Sequence, residues 1–215
     1  MSAPAEDGPA PSRRSEYAAQ TRTAMVEAAR KLFVRDGYAD TTVEAIAREA
    51  RVSPATVYAQ AGGKQGLLRS LLLEWSLTGN VPSAPERWAQ ITDPRAKLAQ
   101  LIRGTFDVYR THGDVILIGR RAADSSADAS EFVSMTSHLF RELLEEFVGQ
   151  LRKTGDVAAD LDDKRAADHL QFFLRFEQVR LLLADFRWSE EEAQGWLEAT
   201  LAGAVLRDPG HTTSA

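Results

Sequence analysis

Residues 41–60 read Thr-Thr-Val-Glu-Ala-Ile-Ala-Arg-Glu-Ala-Arg-Val-Ser-Pro-Ala-Thr-Val-Tyr-Ala-Gln, and two helix starts lie inside them. Thr41-Thr42-Val43-Glu44 fits a capping box, in which a threonine hydroxyl and a glutamate carboxylate each satisfy a free amide at a helix start. The spacing predicts a short helix from Thr42 to about Ala50, with Val43, Ile46 and Ala47 facing inward. A three-residue turn, Arg51-Val52-Ser53, follows. Ser53 then supplies a cap, and Pro54 sits where a missing amide hydrogen is harmless. The third helix runs from Pro54 to about Gln60 and stops before Gly62-Gly63. Two short helices around a tight turn have the shape of a helix-turn-helix, in which the first helix crosses the DNA backbone and seats the second in the major groove. Short alanine-rich helices at this spacing also occur in ordinary bundles, so geometry alone leaves both readings open.

Outward from this stretch the chain stays helical. Upstream, a helix begins near Arg14, carries Met25, Ala28, Ala29, Leu32 and Phe33 at helical spacing, and stops at Asp36 with Gly37 as a left-handed cap. Downstream, a fourth helix runs from Lys64 to about Thr78. Gly79, Asn80, Pro82 and Pro85 mark the one clear composition break, followed by a brief helical piece over 86–91. Asp93-Pro94 opens a helix expected to end near His112-Gly113, and Val115 to about Asp124 reads as a separate shorter one. Another spans 128–154 and closes at Gly155. Asp162 caps a helix reaching Arg187, and Ser189-Glu190-Glu191-Glu192 starts the last, over 190–206. With no period-2 alternation, the fold class is all-α, with about nine helices. The expected organisation is a tail over 1–12, a helix-turn-helix domain over 13–62, a larger helical effector-binding and dimerisation domain over 63–207, and a tail over 208–215; both tails are expected to be disordered.

The 215 residues are 44% hydrophobic and 27% charged, with a mean hydropathy of −0.30, enough to bury a core. No apolar run approaches the ~18 residues of a spanning helix, residues 1–12 carry no secretory apolar stretch, and there are no cysteines. These features point to a cytoplasmic protein without disulfides or thiolate metal sites. The net charge of −5 is unevenly spread. Residues 12–70 hold ten Lys/Arg against six Asp/Glu, whereas 71–215 hold sixteen against twenty-three. A basic N-terminal quarter on an acidic body suits localised phosphate binding.

The run Arg22…Ala28-Ala29…Leu32-Phe33…Gly37-Tyr38…Thr41-Thr42-Val43…Ile46-Ala47…Ala50…Val52-Ser53…Thr56-Val57-Tyr58…Lys64…Leu67-Leu68 resembles the N-terminal signature of the TetR family of transcriptional regulators. Beyond Trp75 only helix count and length match. The resemblance implies that the helix over 54–60 enters the major groove of double-stranded operator DNA. It places Thr42, Tyr58 and Lys64 at phosphates, with Ser53 as the cap and Ala55, Thr56 and Gln60 as base readers; glutamine can pair with adenine, and threonine and alanine can touch a thymine methyl. It also implies a homodimer, in which the last two long helices pack against their copies, and a small-molecule effector that releases the DNA. The family usually has glycine where Arg51 stands. An aromatic is common at the position of Ala61, and its loss beside Gly62-Gly63 implies a looser link between the third helix and the body.

Enzyme chemistry finds no foothold. Gly62-Gly63-Lys64-Gln65 lacks the first glycine and the hydroxyl of a phosphate loop. His112, His138, His169 and His211 are scattered, and no nucleophile elbow is present, so no catalytic residue, metal site or cofactor is assigned. Polar residues interrupting apolar stripes, Thr105, Tyr109, Thr136 and Glu177, together with Phe173, are candidates for an apolar or amphipathic effector pocket; core hydroxyls and a polar group on a dimer seam are the alternative. On the last helix, Trp196, Leu197, Leu201, Ala204 and Val205 form an apolar face too wide for one neighbouring helix. Leu201 and Ala204 are therefore expected at a dimer seam. The competing reading is a TetR-like architectural or interaction module without an effector.

Overall fold

The computed structural model describes residues 13–78 and 84–207; the expected tails and the Gly79, Asn80 and Pro82 break lie outside them. Four helices build the N-terminal head: α1 (Arg13–Asp36), α2 (Val43–Glu49), α3 (Pro54–Ala61) and α4 (Gly63–Thr78). α1 stops where Gly37 turns left-handed, at φ +86°, and donates its amide to the Phe33 carbonyl at 3.1 Å. The capping box expected over 41–44 is shifted by one residue. Thr42 is the cap and accepts the Ala45 amide at 3.1 Å, while Thr41 is buried and donates to the Gly37 carbonyl at 2.7 Å. Glu44 therefore closes nothing, and Thr41 ties the loop instead. Ser53 caps α3 by accepting the Thr56 amide at 3.1 Å. Arg51 accepts the left-handed backbone at φ +57°, a cost of about 1 kcal/mol offset by the turn amides reaching Arg48 and Ala47.

The body consists of α5 (Ala84–Ala89), α6 (Pro94–Ala122), α7 (Ala127–Thr154), α8 (Asp163–Leu174), α9 (Phe176–Arg180) running into a π turn (Leu181–Asp185), and α10 (Glu190–Val205). Counting α8, α9 and the π turn as one interrupted path, the described residues hold nine helices, and their only β pairing is an isolated bridge, Val157 to Leu206. No helix among them is long and apolar enough to cross a membrane.

Two expected boundaries differ. The break at His112-Gly113 is absent: α6 is continuous over 29 residues, about 43 Å of helix. Gly113 keeps a helical backbone and serves close packing instead, because a Cβ there would lie 3.3 Å from the Phe176 ring. Conversely, the expected helix over 162–187 breaks at Arg175, whose ψ of 149° is extended. No glycine or proline marks the spot. The carbonyl freed by the break, that of Leu174, accepts the Tyr109 hydroxyl at 2.6 Å.

The apolar interior forms two clusters. One gathers α5, the first half of α6 (Leu98, Leu101, Ile102, Phe106), the second half of α7, α8, α9 and α10. The other gathers α1 to α4 with Val115, Ile118 and Ala122 of α6 and Ala129 and Phe132 of α7. α4 shares the second cluster with α1 to α3. α6 runs through both clusters, and two charged contacts fasten the joint. Arg30 of α1 grips Asp114 of α6 at 2.6 and 2.7 Å, and Gln65 and Arg69 of α4 converge on Asp128 of α7, both at 2.7 Å.

Candidate functional site

α3 presents one face inward through Val57 and Ala61 and leaves Ser53, Ala55, Tyr58 and Gln60 exposed, with Thr56 half-buried. The Ser53 and Thr56 hydroxyls lie 2.8 Å apart and hydrogen-bond each other, so the start of α3 is fixed. Tyr58, 59% exposed, rests its ring on the bare Gly63, where a Cβ would stand 3.0 Å from Cε1. Thr42 is exposed at the start of α2. The Lys64 ammonium is already employed: it donates to the Tyr38 and Ala39 carbonyls at 2.8 and 3.1 Å and sits 4.5 Å from the centre of the Tyr38 ring. These contacts hold the loop between α1 and α2. Arg48 and Arg51, both exposed beside α3, have no hydrogen-bond or ion-pair partner among the described residues. Two free guanidiniums flanking a helix with a polar outward face match the needs of backbone positioning. Arg48 was missed in the sequence because an arginine in a short helix carries no positional signal.

The link from α3 to the body is close rather than loose. A Cβ on Gly66 would stand 1.6 Å from the Ala61 carbonyl oxygen, so α4 lies directly on the backbone at the end of α3, and no aromatic at position 61 is needed. Gly62 and Gly63, at φ +71° and +77°, form a fixed bend. Arg22 of α1 reaches over it and donates to the Gln60 carbonyl at 3.3 Å and the Ser70 hydroxyl at 3.2 Å. Arg22 thereby sets the far end of α3, a role that neither its residue type nor its spacing discloses.

In the body, a cleft of about 290 Å³ lies between the middle of α6, α9 with its π turn, and the start of α10. Phe106, Tyr109, Leu117, Phe176, Val179 and Leu183 give it an apolar floor, and Arg110, Asp114, Arg180 and Glu190 stand at its rim. Of the five pocket candidates the structure brings only Tyr109 here. Its pKa is pushed up by burial, with Glu177 adding to the rise, so the hydroxyl stays a donor. Thr105 is buried and bonds the Leu101 carbonyl of its own helix at 2.9 Å. Thr136 does the same with Val133 at 3.2 Å. Phe173 packs edge-on against Phe172 and Trp196, and Glu177 is exposed and paired with Arg120 and Arg175. The helical stripe gave α6 its inward face correctly, but the cleft arises from the break at Arg175, which the sequence does not announce.

A chain of aromatics crosses the surface of α8, the α9–α10 loop and α10. Phe172, Phe173, Trp196, Trp188 and Phe186 follow one another at centroid spacings of 5.2, 5.9, 5.6 and 6.4 Å. Phe172 is 59%, Phe186 56% and Trp196 42% exposed. Leu201, expected at a seam, is instead fully buried in the chain's own core with Leu197 and Val205. The outward face of α10 carries Trp196 above Gly195, Ala199 and Gly203, all exposed.

Comparison with known proteins agrees with this geometry. Residues 25–71 match the family described as bacterial regulatory proteins, tetR family. An uncharacterised HTH-type transcriptional regulator of Bacillus subtilis, YvkB, is 25% identical over 166 residues, covering 77% of this chain and 85% of its own. Among solved structures, NalD, the secondary repressor of the MexAB-OprM multidrug efflux pump in Pseudomonas aeruginosa, superposes with a TM-score of 0.70 at 20% identity over 89% of this chain and 99% of its own. The SmeT–triclosan complex superposes with a TM-score of 0.67 at 18% identity, over 91% and 96%. Residues 25–71 thus match the family's model and the described length has the fold of solved TetR-family proteins, so the chain is similar to TetR-family transcriptional regulators.

Proposed function

We propose that this protein is a homodimeric repressor that binds a palindromic operator through α3 and is released by a small apolar or amphipathic effector. The observation that carries the reading is α3 itself. Its start is fixed by Ser53 and Thr56 and its end by Arg22 and the Gly66 contact, while Ala55, Tyr58 and Gln60 stay exposed. A helix pinned at both ends with a free polar face suits base readout, since reading needs a fixed register. Thr42, Tyr58, Arg48, Arg51 and Lys64 serve phosphates; Ala55, Thr56 and Gln60 face base edges. The exposed aromatics of α8 and α10 form the two-fold seam, because an apolar patch of this kind marks an interaction surface. The cleft beside Tyr109 receives the effector. NalD is named a repressor and SmeT was solved with triclosan, which supports both roles here.

Binding to a pool of duplexes with a randomised core tests this reading. Two symmetric half-sites about one helical turn apart and affinity falling steeply with salt are expected. A flat salt response with no palindrome enriched contradicts operator binding. Operator binding that no small molecule weakens leaves an architectural module instead.

A further inference from the structure

We propose that the cleft selects an uncharged, largely apolar molecule and turns away carboxylates and ammonium ions of the same skeleton; the inference rests on the cleft being the effector site. Its floor is apolar and aromatic. Four ionised side chains stand at its rim, two of each sign, and every one already has an opposite charge beside it. Asp114 is held by Arg30 at 2.6 and 2.7 Å and also accepts the Val115 amide at 2.9 Å. Arg110 lies between Asp107 and Glu190, the latter at 3.5 Å. Arg180 pairs with Asp185 at 3.3 Å. The only polar group on the floor, the Tyr109 hydroxyl, donates to the Leu174 carbonyl at 2.6 Å.

No rim charge is therefore left over to receive an ionic ligand. An incoming carboxylate or ammonium must either enter unpaired, giving up hydration without replacement, or take a partner from an existing pair and leave another ion uncompensated. A neutral molecule meets neither cost and gains the burial of its apolar surface against the ring and aliphatic groups of the floor. The cleft volume, about 290 Å³, suits a single ring with a short chain, at the small end of ligand sites.

Three probes of one skeleton test the proposal: 4-butylphenol, 4-butylbenzoate and 4-butylbenzylammonium, titrated calorimetrically into the full chain at pH 7. The phenol is expected to bind about tenfold or more tightly than either ion. In the double variant Asp107→Asn, Glu190→Gln, which strips Arg110 of both counter-charges, benzoate affinity should rise about tenfold and phenol affinity should stay level. Wild-type binding of either ion as tightly as the phenol, no benzoate gain in the double variant, or no binding of any probe overturns the proposal. Filling the cleft with Leu117→Trp, or with Leu183→Trp should the first fold poorly, separates this from the underlying reading. Phenol binding that survives both places the probe elsewhere and overturns the cleft as the site, whereas benzoate preference abolished by either variant keeps the site and overturns only its selectivity.

Discussion

In the head, local caps stand at the helix ends between α1 and α3, and Arg22 reaches in from 38 residues earlier to the Gln60 carbonyl. Thr42 holds Ala45, Ser53 holds Thr56, and Gly37 and Gly62 turn left-handed where α1 and α3 stop. In the body, the end that shapes the cleft is closed from a distance: the Leu174 carbonyl is taken by Tyr109, 65 residues earlier in the chain. The head is also packed backbone on backbone, at Gly66 against Ala61, whereas Gly104 and Gly149 in the long body helices have open space where a Cβ would go. The end of α3 is thus held by a backbone-on-backbone contact beside local caps, whereas the cleft is shaped by a contact that spans 65 residues.

The sharpest way to break this comparison is at buried apolar positions shared by neither surface. Leu201→Glu places an unpaired carboxylate in the body core and should unfold the chain, at a cost of roughly 4 kcal/mol or more. Trp196→Glu, on the exposed seam, should leave the fold intact and produce monomers. Thermal melting and sedimentation distinguish the two; a folded monomer from Leu201→Glu contradicts the assignment of that residue to the core.

Next in size is Gly66→Ala, which must push α4 off the end of α3. A loss of about 3 kcal/mol is expected, with operator binding falling further than stability alone accounts for. Gly104→Ala makes the contrast in the body, where open space and a helical backbone predict a gain of about 0.5–1 kcal/mol. Equal effects at the two glycines, read by chemical denaturation, remove the distinction between tight head and loose body.

Tyr109→Phe removes the donor at the α8 break and leaves the Leu174 carbonyl without it, costing about 1–2 kcal/mol. If the break belongs to the cleft, the same variant also changes probe affinity, while operator binding without ligand stays near that of the wild type.

The smallest effect concerns the joint. Burial alone would raise the Asp114 carboxyl, but Arg30 beside it more than compensates and holds it below the usual range. Arg69 and Gln65 likewise hold Asp128 low. A depressed carboxylate stabilises fully above its unfolded pKa of about 3.9 and loses that contribution as pH falls through the folded value. The difference in melting temperature between wild type and Asp114→Asn should therefore be constant from pH 7 to 5, begin to shrink near the unfolded pKa of about 3.9, and vanish only as pH falls through the lower folded value. Both groups are partly exposed, so the pair contributes about 1 kcal/mol or less. A difference that changes between pH 7 and 5 assigns the joint to another group.

What was legible in the sequence follows the same division. The head's helix ends could be read almost residue by residue, because caps, glycine turns and the Ser-Pro start are local chemistry; Thr41 for Thr42 is a single-residue slip between two adjacent threonines, whereas the close contact of Gly66 on Ala61 and the reach of Arg22 are tertiary and were not legible. The body yielded its helices but not its joints. His112-Gly113 carries the signals of a stop, yet packing of Phe176 on the bare glycine and burial of both halves of α6 in different cores keep the helix whole. Arg175 carries no signal, and its break is held by a tyrosine from another helix. Of the pocket candidates only Tyr109 lines the cleft for that reason: inward-facing hydroxyls such as Thr105 and Thr136 satisfy themselves within their own helices, and a cleft made by a tertiary break has no periodicity to find.

The central claim, that α3 reads base edges from a symmetric pair of pinned helices, is tested most directly by Gln60→Ala. Base preferences should be measured position by position across the enriched operator for the variant and the wild type. The account predicts that preference relaxes by about 1–3 kcal/mol at one base pair in each half-site, at positions related by the operator's two-fold axis, with the other positions unchanged. A uniform loss of affinity across all positions, or relaxation in one half-site alone, would contradict it.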